Sequence, residues 1–311
     1  MQPLLIGIGG ANADLSMASR GPIVPCDSNP ARLTLSAGGV MRNICENAAR
    51  LGVQTELFTA VGKDPLGEMI LSSCRRAGVG TKLVRRFADC PSSAYVSALD
   101  ERGEMYVAFS DMTIASRLTP ADFDAAASVL YSAAVVCLDG NPSREFIAHA
   151  ARRLSANGIP VFLDPVSTSH AKKFAGLLGY FHTIKPNRLE LETLSGMPVT
   201  DEASLEEAAK ALLKQGVRRV FVTLGEDGVY YRDGNGLSRR YRPDTVTMKN
   251  ATGAGDAFTA GLLLSYLEGS SLDDTLRRAC ACSAVAVSAA ETVSPLLSEA
   301  EIAKYTGGIF L

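Results

Sequence analysis

The sequence predicts an α/β fold with a mainly parallel central sheet and a small β lid. Three observations support this prediction. Short apolar runs alternate with helical segments along most of the 311 residues, one pair of alternating runs around a turn interrupts that order, and no linker or repeat divides the chain. Because strands that alternate with helices favour a parallel sheet, we expect a single domain over residues 1–311.

The first third of the chain predicts two strand–helix pairs. "PLLIGIGG" is typical of a short buried strand, and "GGVMRNICENAARLG" has apolar residues at helical spacing before a stop at Gly52. "TELFTAVG" predicts the next strand. Asp64 and Pro65 then supply an N-cap and a first-turn proline for a helix that ends at Gly78.

The remaining strands and helices continue the alternation. "AVVCLDG", "PVFLDP", "FHTIKPN" and "RRVFVTLG" predict strands, and "PSREFIAHAARRLSANG" and "DEASLEEAAKALLKQG" predict helices. The exception, "SSAYVSALDERGEMYVAFSD", alternates on both sides of a turn at residues 100–103 and predicts an antiparallel hairpin outside the main sheet. We expect lid segments at approximately residues 15–38 and 91–113.

Composition and charge exclude several classes of function. A net charge of −2 provides no broad basic face for a nucleic-acid polymer, although a small anionic ligand remains compatible with it.

The seven cysteines are widely spaced, and Cys280 and Cys282 do not share a helical face, so we expect reduced thiols rather than a metal pair. The start of the chain lacks the pattern of a leader, and "ACACSAVAVSAA" is too short to span a bilayer. We therefore expect a cytoplasmic protein without a membrane partner.

The segment "KNATGAGDAFTAGLLLSYLEG" carries the strongest chemical signal. It predicts a loop followed by a helix that begins near Gly255, with Gly253, Ala254 and Gly255 adding little bulk beside the free N–H groups of the first turn. Such a turn binds an anion, and Asp256 beside it suits a base that accepts the proton of an attacking hydroxyl. The alternative is that Asp256 only complements the helix dipole while the glycines permit close packing.

Two signatures together resemble those of the PfkB, or ribokinase-like, carbohydrate kinases. They are "ATGAGDAF" and "GGVMRNICENAARLG", and the resemblance continues through "GGANAD", "KPNRLELE" and "VTLGEDGVYY" over nearly the whole chain. It implies a ribokinase-like three-layer sandwich and direct in-line transfer from ATP to an alcohol, with Asp256 as the base. A dinucleotide site at "GIGGAN" is disfavoured, because these glycines do not open a helix.

The resemblance assigns the acceptor site to the first strand–helix pair. It implies that Asn12 and Asp14 hydrogen-bond substrate hydroxyls, that Gly38 and Gly39 let the substrate approach the backbone, and that Asn43, one turn further along the helix, holds another hydroxyl. The alternative interpretation of these residues is that they form turns and caps.

The resemblance places the nucleotide and its metal at the middle of the chain. It implies that Asn187 and Glu190 organise the triphosphate and Mg²⁺ through water, and that Thr223 and Gly225 border the nucleotide. Lys185 is a candidate phosphate contact. On their own, Asn187 and Glu190 also fit an ordinary helix start, and Lys185 fits a solvated lysine at a strand end.

A monovalent-cation site is the point where the sequence departs from the family pattern. Family members often have D-T-x-G-A-G-D, whereas this chain has Asn250 and Ala251 before Thr252. The resemblance places a K⁺ site at Asn250 and Thr252. The neutral amide keeps a carbonyl oxygen but removes the charge of the aspartate, while the proposed role of Asp256 is unaffected.

Within the family, several segments resemble those of the bacterial kinases that act on pseudouridine. These are "DSNP", "GGVMRN", "SDMTI", "IKPNRLELETLSG" and "NATGAGD". The resemblance implies phosphorylation of the 5′-hydroxyl of pseudouridine, with Asn29 and Asp111 in the lid offering polar groups to the base. These two residues also fit the alternative of turns that cap lid strands.

Three functional alternatives remain open. The first is a kinase for pseudouridine, the second is a kinase for another nucleoside or for a free sugar such as ribose or fructose, and the third is a sensor without catalysis. The free edges of the lid also predict a homodimer that forms through the lid.

Overall fold

The computed structural model describes residues 3–311, which contain fifteen strands and eleven α-helices. The strands are β1 (Leu4–Ile8), β2 (Asn12–Ser19), β3 (Ala31–Gly38), β4 (Gln54–Phe58), β5 (Ala60–Gly62), β6 (Arg85–Phe87), β7 (Ala94–Leu99), β8 (Met105–Asp111), β9 (Val135–Asp139), β10 (Val161–Asp164), β11 (Thr183–Ile184), β12 (Arg219–Thr223), β13 (Val229–Asp233), β14 (Ser238–Pro243) and β15 (Gly308–Phe310). The helices are α1 (Val40–Arg50), α2 (Pro65–Arg76), α3 (Pro120–Ala125), α4 (Ala127–Leu130), α5 (Arg144–Ala156), α6 (Thr168–Ala171), α7 (Arg188–Ser195), α8 (Glu202–Lys214), α9 (Ala254–Glu268), α10 (Leu272–Val287) and α11 (Glu299–Ile302).

A nine-stranded sheet forms the centre of the fold. Its order is β15-β14-β13-β12-β11-β10-β9-β1-β4. Within this sheet the neighbouring strands β4, β1, β9, β10, β11 and β12 pair in parallel. The strands β13, β14 and β15 extend one edge in antiparallel pairing. The predicted mainly parallel sheet is therefore confirmed, and the carboxyl ends of its parallel strands meet at one edge.

Helices cover both faces of the central sheet. Leu5 and Leu57 pack in one apolar cluster with α1, α2, α9 and α10, whereas their neighbours Ile6 and Phe58 pack in a second cluster with α3, α5 and α8. Successive side chains of a strand point to opposite faces, so every parallel strand except the two-residue β11 contributes to both clusters. The result is the three-layer sandwich that the sequence predicts.

A separate four-stranded sheet, here called the lid, has the order β3-β2-β7-β8. The predicted hairpin forms β7 and β8, which pair in antiparallel around the turn at residues 100–103. The segment that follows β1 supplies the other two strands, β2 and β3. Since β1 ends at Ile8 and β2 begins at Asn12, the lid joins the body beside the carboxyl end of β1.

Most predicted helix boundaries are confirmed, and two predicted strands differ. Asp64 caps α2 by accepting a hydrogen bond from the Gly67 N–H, and α7 begins after Asn187. "TELFTAVG", however, divides into β4 and β5, which pairs with β6 in a small sheet of its own. In "FHTIKPN" only Thr183 and Ile184 form a strand, because the backbone turns toward α7. No helix within residues 3–311 combines the length and the hydropathy required to cross a bilayer.

Candidate active site

The first turn of α9 is shaped by Gly253. This residue caps the helix with φ of 84°, and a Cβ at its position would overlap the carbonyl oxygen of Thr292. A side chain at this position would therefore be strained and would clash. The first amide that bonds within the helix is that of Ala257, which donates to the Gly253 carbonyl, so the preceding N–H groups of the first turn face outward. Free N–H groups at a helix start are suited to an anion, and we call this segment the anion-binding turn.

Asp256 lies at the end of that turn and is buried, with 9% of its surface exposed. Its Oδ2 accepts a hydrogen bond of 2.9 Å from Nδ2 of Asn43, which is also buried on α1. Burial raises the pKa of Asp256 to about 7, and the nearby charge of Asp164 adds to the effect, while the Asn43 bond and Lys185 oppose it. A carboxylate with this pKa can exchange a proton near neutral pH.

Lys185 lies beneath the same turn rather than in solvent. Its Nζ is 2.9 Å from Oδ2 of Asp164, which also accepts a hydrogen bond from the Thr259 hydroxyl at 3.2 Å. Although burial alone lowers the pKa of Lys185, the charges of Asp164 and Glu190 outweigh it and raise that pKa. A Cβ on Gly255 would lie 3.1 Å from the Lys185 Nζ. Lys185 therefore places a positive charge against the anion-binding turn.

The predicted acceptor residues gather where β2, β3 and α1 meet. The Nδ2 of Asn12 donates to Oδ1 of Asp14 at 2.6 Å, and burial raises the pKa of Asp14. A Cβ on Gly38 would overlap the Asp14 carboxylate, and Gly39 has φ of 100° with its Cβ position 2.6 Å from the Cα of Ala11. Gly39 is therefore required by the close approach of the Ala11 backbone, whereas Gly38 leaves space for the Asp14 carboxylate. Asn12 and Asp14 lie on β2, and the two glycines connect β3 to α1, which carries Asn43.

Strand-end carboxylates were missed by the sequence interpretation. Asp139, at the end of β9, is buried and accepts hydrogen bonds from the backbone of Gly10 and from the backbone and side chain of Asn141. Burial raises the pKa of Asp139 to about 6. Asp164 occupies the equivalent position on β10. The signal was present in "CLDG" and "FLDP", where an aspartate ends a buried apolar run.

Asn187 and Glu190 form a reciprocal capping box at the start of α7. Oδ1 of Asn187 accepts from the Glu190 N–H, and Oε2 of Glu190 accepts from the Asn187 N–H, each at 2.9 Å. Asn187 and Glu190 thus form an ordinary helix start. Asn187 forms a bridge with Thr223, and Gly225 follows with φ of 63°, so the predicted nucleotide residues adjoin one another.

The two predicted base-reading residues do not join this group. The Asn29 side chain forms hydrogen bonds within its own loop. It accepts from the Val24 N–H and donates to the carbonyl oxygens of Val24 and Asp27. Asp111 is exposed and is in register with Ala94, so strand alternation places it on the face of the lid opposite that of Asp14. The sequence did not reveal which face each strand presents.

The predicted K⁺ residues lie in the loop before α9. Nδ2 of Asn250 donates to the carbonyl oxygen of Ala290 at 3.1 Å, and its Oδ1 accepts from the Thr252 N–H at 2.9 Å. Both polar atoms of the amide thus already have protein partners.

Comparisons with known proteins identify the family of the chain. The pattern of the pfkB family carbohydrate kinases matches residues 2–299. Pseudouridine kinase of Escherichia coli (strain K12) is 37% identical over 295 residues, covering 95% of this chain and 94% of that protein.

Solved structures share the whole fold. A Clostridium perfringens protein has 32% sequence identity and a TM-score of 0.89, covering 100% of this chain and 98% of its own. Arabidopsis thaliana ribokinase, solved with ribose and ATP, has 24% identity and a TM-score of 0.88, covering 98% of this chain and 99% of its own. These neighbours confirm the ribokinase-like fold. The match over residues 2–299 makes the chain a member of the pfkB family of carbohydrate kinases.

Proposed function

We propose that this protein phosphorylates the 5′-hydroxyl of pseudouridine with ATP, by direct in-line transfer. The observation that carries the proposal is the buried Asp256–Asn43 pair at the anion-binding start of α9. A general base beside a turn of free N–H groups is the arrangement that phosphoryl transfer to an alcohol requires. It also argues against a sensor without catalysis, because a carboxylate opposes binding of a resting anion.

In the proposed reaction, Asp256 orients the attacking hydroxyl and accepts its proton as the oxygen bonds to the γ-phosphorus of ATP. The bond from that phosphorus to the bridging oxygen breaks, and ADP leaves with its electron pair. The backbone N–H groups of Gly253, Ala254 and Gly255 stabilise charge on the transferred group. The Lys185 ammonium beneath the turn adds positive charge to the same region.

The residues near α7 fit a hydrated Mg²⁺. Among the described residues, Oε2 of Glu190 accepts the Asn187 N–H, and its other oxygen has no hydrogen-bond partner in the protein. Carboxylate oxygens that reach the metal through water match the preference of Mg²⁺, which also neutralises phosphate charge when bound. In this proposal Glu190 and Asn187 hold the hydrated ion, and Thr223 and Gly225 line the nucleotide.

Support for pseudouridine comes from the relative named for that substrate and from the polar face of the lid. The row of residues in register with Asp14 is polar and consists of Ser36, Tyr95 and Ser110. These side chains share a face with Asp14 and offer hydroxyl groups to a base attached to the ribose. We therefore assign contact with the base to this row ahead of Asn29 and Asp111.

A kinase for a free sugar is the second candidate. The acceptor residues Asn12, Asp14 and Asn43 suit the hydroxyls of any furanose, and these contacts do not require a nucleobase on the sugar. This candidate predicts that ribose or fructose serves as well as a nucleoside.

Substrate competition tests the proposal. ADP release from MgATP is measured with pseudouridine, uridine, ribose and fructose in parallel. We expect the highest kcat/KM for pseudouridine, and a loss of roughly 10²–10⁴-fold in Asp256→Asn, because the base is removed at nearly unchanged volume. Preference for a free sugar would overturn the assignment of pseudouridine as the acceptor. Unchanged turnover in Asp256→Asn would overturn the assignment of Asp256 as the general base.

We also propose that two copies of the chain associate through the outer face of the lid. Cross-strand register aligns Leu35, Leu15, Val96 and Phe109 on that face. Phe109 is 70% exposed and Leu35 is 46% exposed. An apolar sheet face of this kind is costly in water, and a second lid provides a self-complementary cover.

A further inference from the structure

Hydrogen bonds tie the loop before α9 to the end of α10 and to the segment that follows it. The backbone N–H groups of Lys249 and Asn250 both donate to the Val287 carbonyl oxygen, at 2.7 and 3.2 Å. The Asn250 side chain adds its bond to the Ala290 carbonyl oxygen and accepts from the Thr252 N–H. The two segments are thus joined by backbone N–H groups and by the amide nitrogen of Asn250, while the amide oxygen bonds within the loop before α9.

This arrangement does not fit a monovalent cation at position 250. A cation requires lone pairs from several oxygens, but the Asn250 side chain presents N–H hydrogens to the Ala290 carbonyl. The amide is also neutral, so it lacks the charge with which a carboxylate would hold the ion. The Asn250 side chain thus presents a donor, rather than a ligand oxygen, to the Ala290 carbonyl oxygen.

The same bonds lie next to the anion-binding turn. Thr252, whose N–H bonds to Asn250, immediately precedes Gly253, and Gly253 is packed against the Thr292 carbonyl. The position of Gly253 sets where α9 begins and hence where its first N–H groups point. Asn250 is therefore placed to hold this turn in position through its bonds to Thr252 and Ala290.

We propose that Asn250 replaces a monovalent cation as the element that positions the start of α9, so that phosphoryl transfer by this protein needs no K⁺. The proposal rests on the kinase function proposed above and assigns Asn250 as a positioning residue.

The test compares the full-length wild type with Asn250→Asp in KCl and in tetramethylammonium chloride at equal ionic strength. We expect the wild-type rate of ADP formation to change by less than about twofold between the salts. K⁺ should raise the rate of Asn250→Asp by about tenfold, a change in rate that corresponds to the free energy of one or two hydrogen bonds. Asn235→Asp, an exposed position in the turn between β13 and β14, carries the same charge change as a control and should stay indifferent to K⁺.

A second readout does not depend on turnover. Because an ion that binds only the folded state stabilises it, K⁺ should raise the thermal midpoint of Asn250→Asp and leave that of the wild type unchanged. A wild type that loses activity in tetramethylammonium, or gains thermal stability specifically from K⁺, would overturn the proposal. If the wild type phosphorylates none of the acceptors, the proposed function fails, while the thermal midpoints still decide the role of Asn250.

Discussion

The Asp256 carboxylate is subject to opposing influences. Burial and the charge of Asp164 raise its pKa, whereas the hydrogen bond from Asn43 lowers it, and the balance lies at about 7. Since a base accepts a proton only when it is ionised, activity should be low below this pH and should rise to a plateau above it. In the proposed mechanism, the pKa of this one residue links the packing of α1 against α9 to the pH range of catalysis.

Replacing Asn43 should shift that pH dependence in a defined direction. Asn43→Ala removes a donor that stabilises the ionised carboxylate, so the acidic limb of the kcat/KM profile should move upward by roughly one pH unit. Asn12→Ala is the matched control, because it removes an asparagine from the acceptor side without touching Asp256. A limb at the same pH in Asn43→Ala and the wild type would show that the hydrogen bond does not set the pKa.

At the scale of the element, α9 depends on how it begins. Its residues from Asp256 to Ser265 are buried all round, so periodicity has little influence on it and the loop before it sets its position. The left-handed conformation of Gly253 and its contact with Thr292 leave no room for a side chain. A change here should disturb stability and catalysis together.

Gly253→Ala tests this dependence against Gly52→Ala. Both glycines have nearly the same φ, 84° and 85°, but a Cβ on Gly52 meets no atom within 4 Å. We expect Gly52→Ala to lower the free energy of unfolding by about 1 kcal/mol, the cost of the left-handed backbone alone. Gly253→Ala should lower it by about 3 kcal/mol, because overlap adds to strain. Equal losses in urea unfolding would mean that the Thr292 contact does not constrain the turn.

At the scale of the whole molecule, the lid has two chemically different faces. The face that carries Asp14 is polar, and the opposite face presents apolar side chains to solvent. One sheet thus has a face suited to the acceptor and a face suited to a second copy. In the proposed dimer, association with a second copy and contact with the acceptor therefore involve the same four strands.

Phe109→Glu should therefore dissociate the proposed dimer. A charge within a buried apolar face is costly, so we expect the mass measured by light scattering to fall from that of two chains to that of one. Val129→Glu, at an exposed apolar position on α4, is the control and should leave the mass unchanged. A wild type that is already monomeric at micromolar concentration would contradict the proposed interface.

Local sequence determined the elements and the chemistry that adjacent residues share. Apolar spacing, Asp64 before Pro65, and Asn187 before Glu190 act within one or two turns, so the helices and their caps were predictable. The motif around Asp256 likewise joins a helix start and a carboxylate in one segment. The tertiary structure decided what distant segments do to one another: it paired Lys185 with Asp164, turned Asp111 away from Asp14, and directed the Asn250 amide to Ala290. These outcomes depend on strand order, strand face and loop approach, which arise only when the whole chain packs.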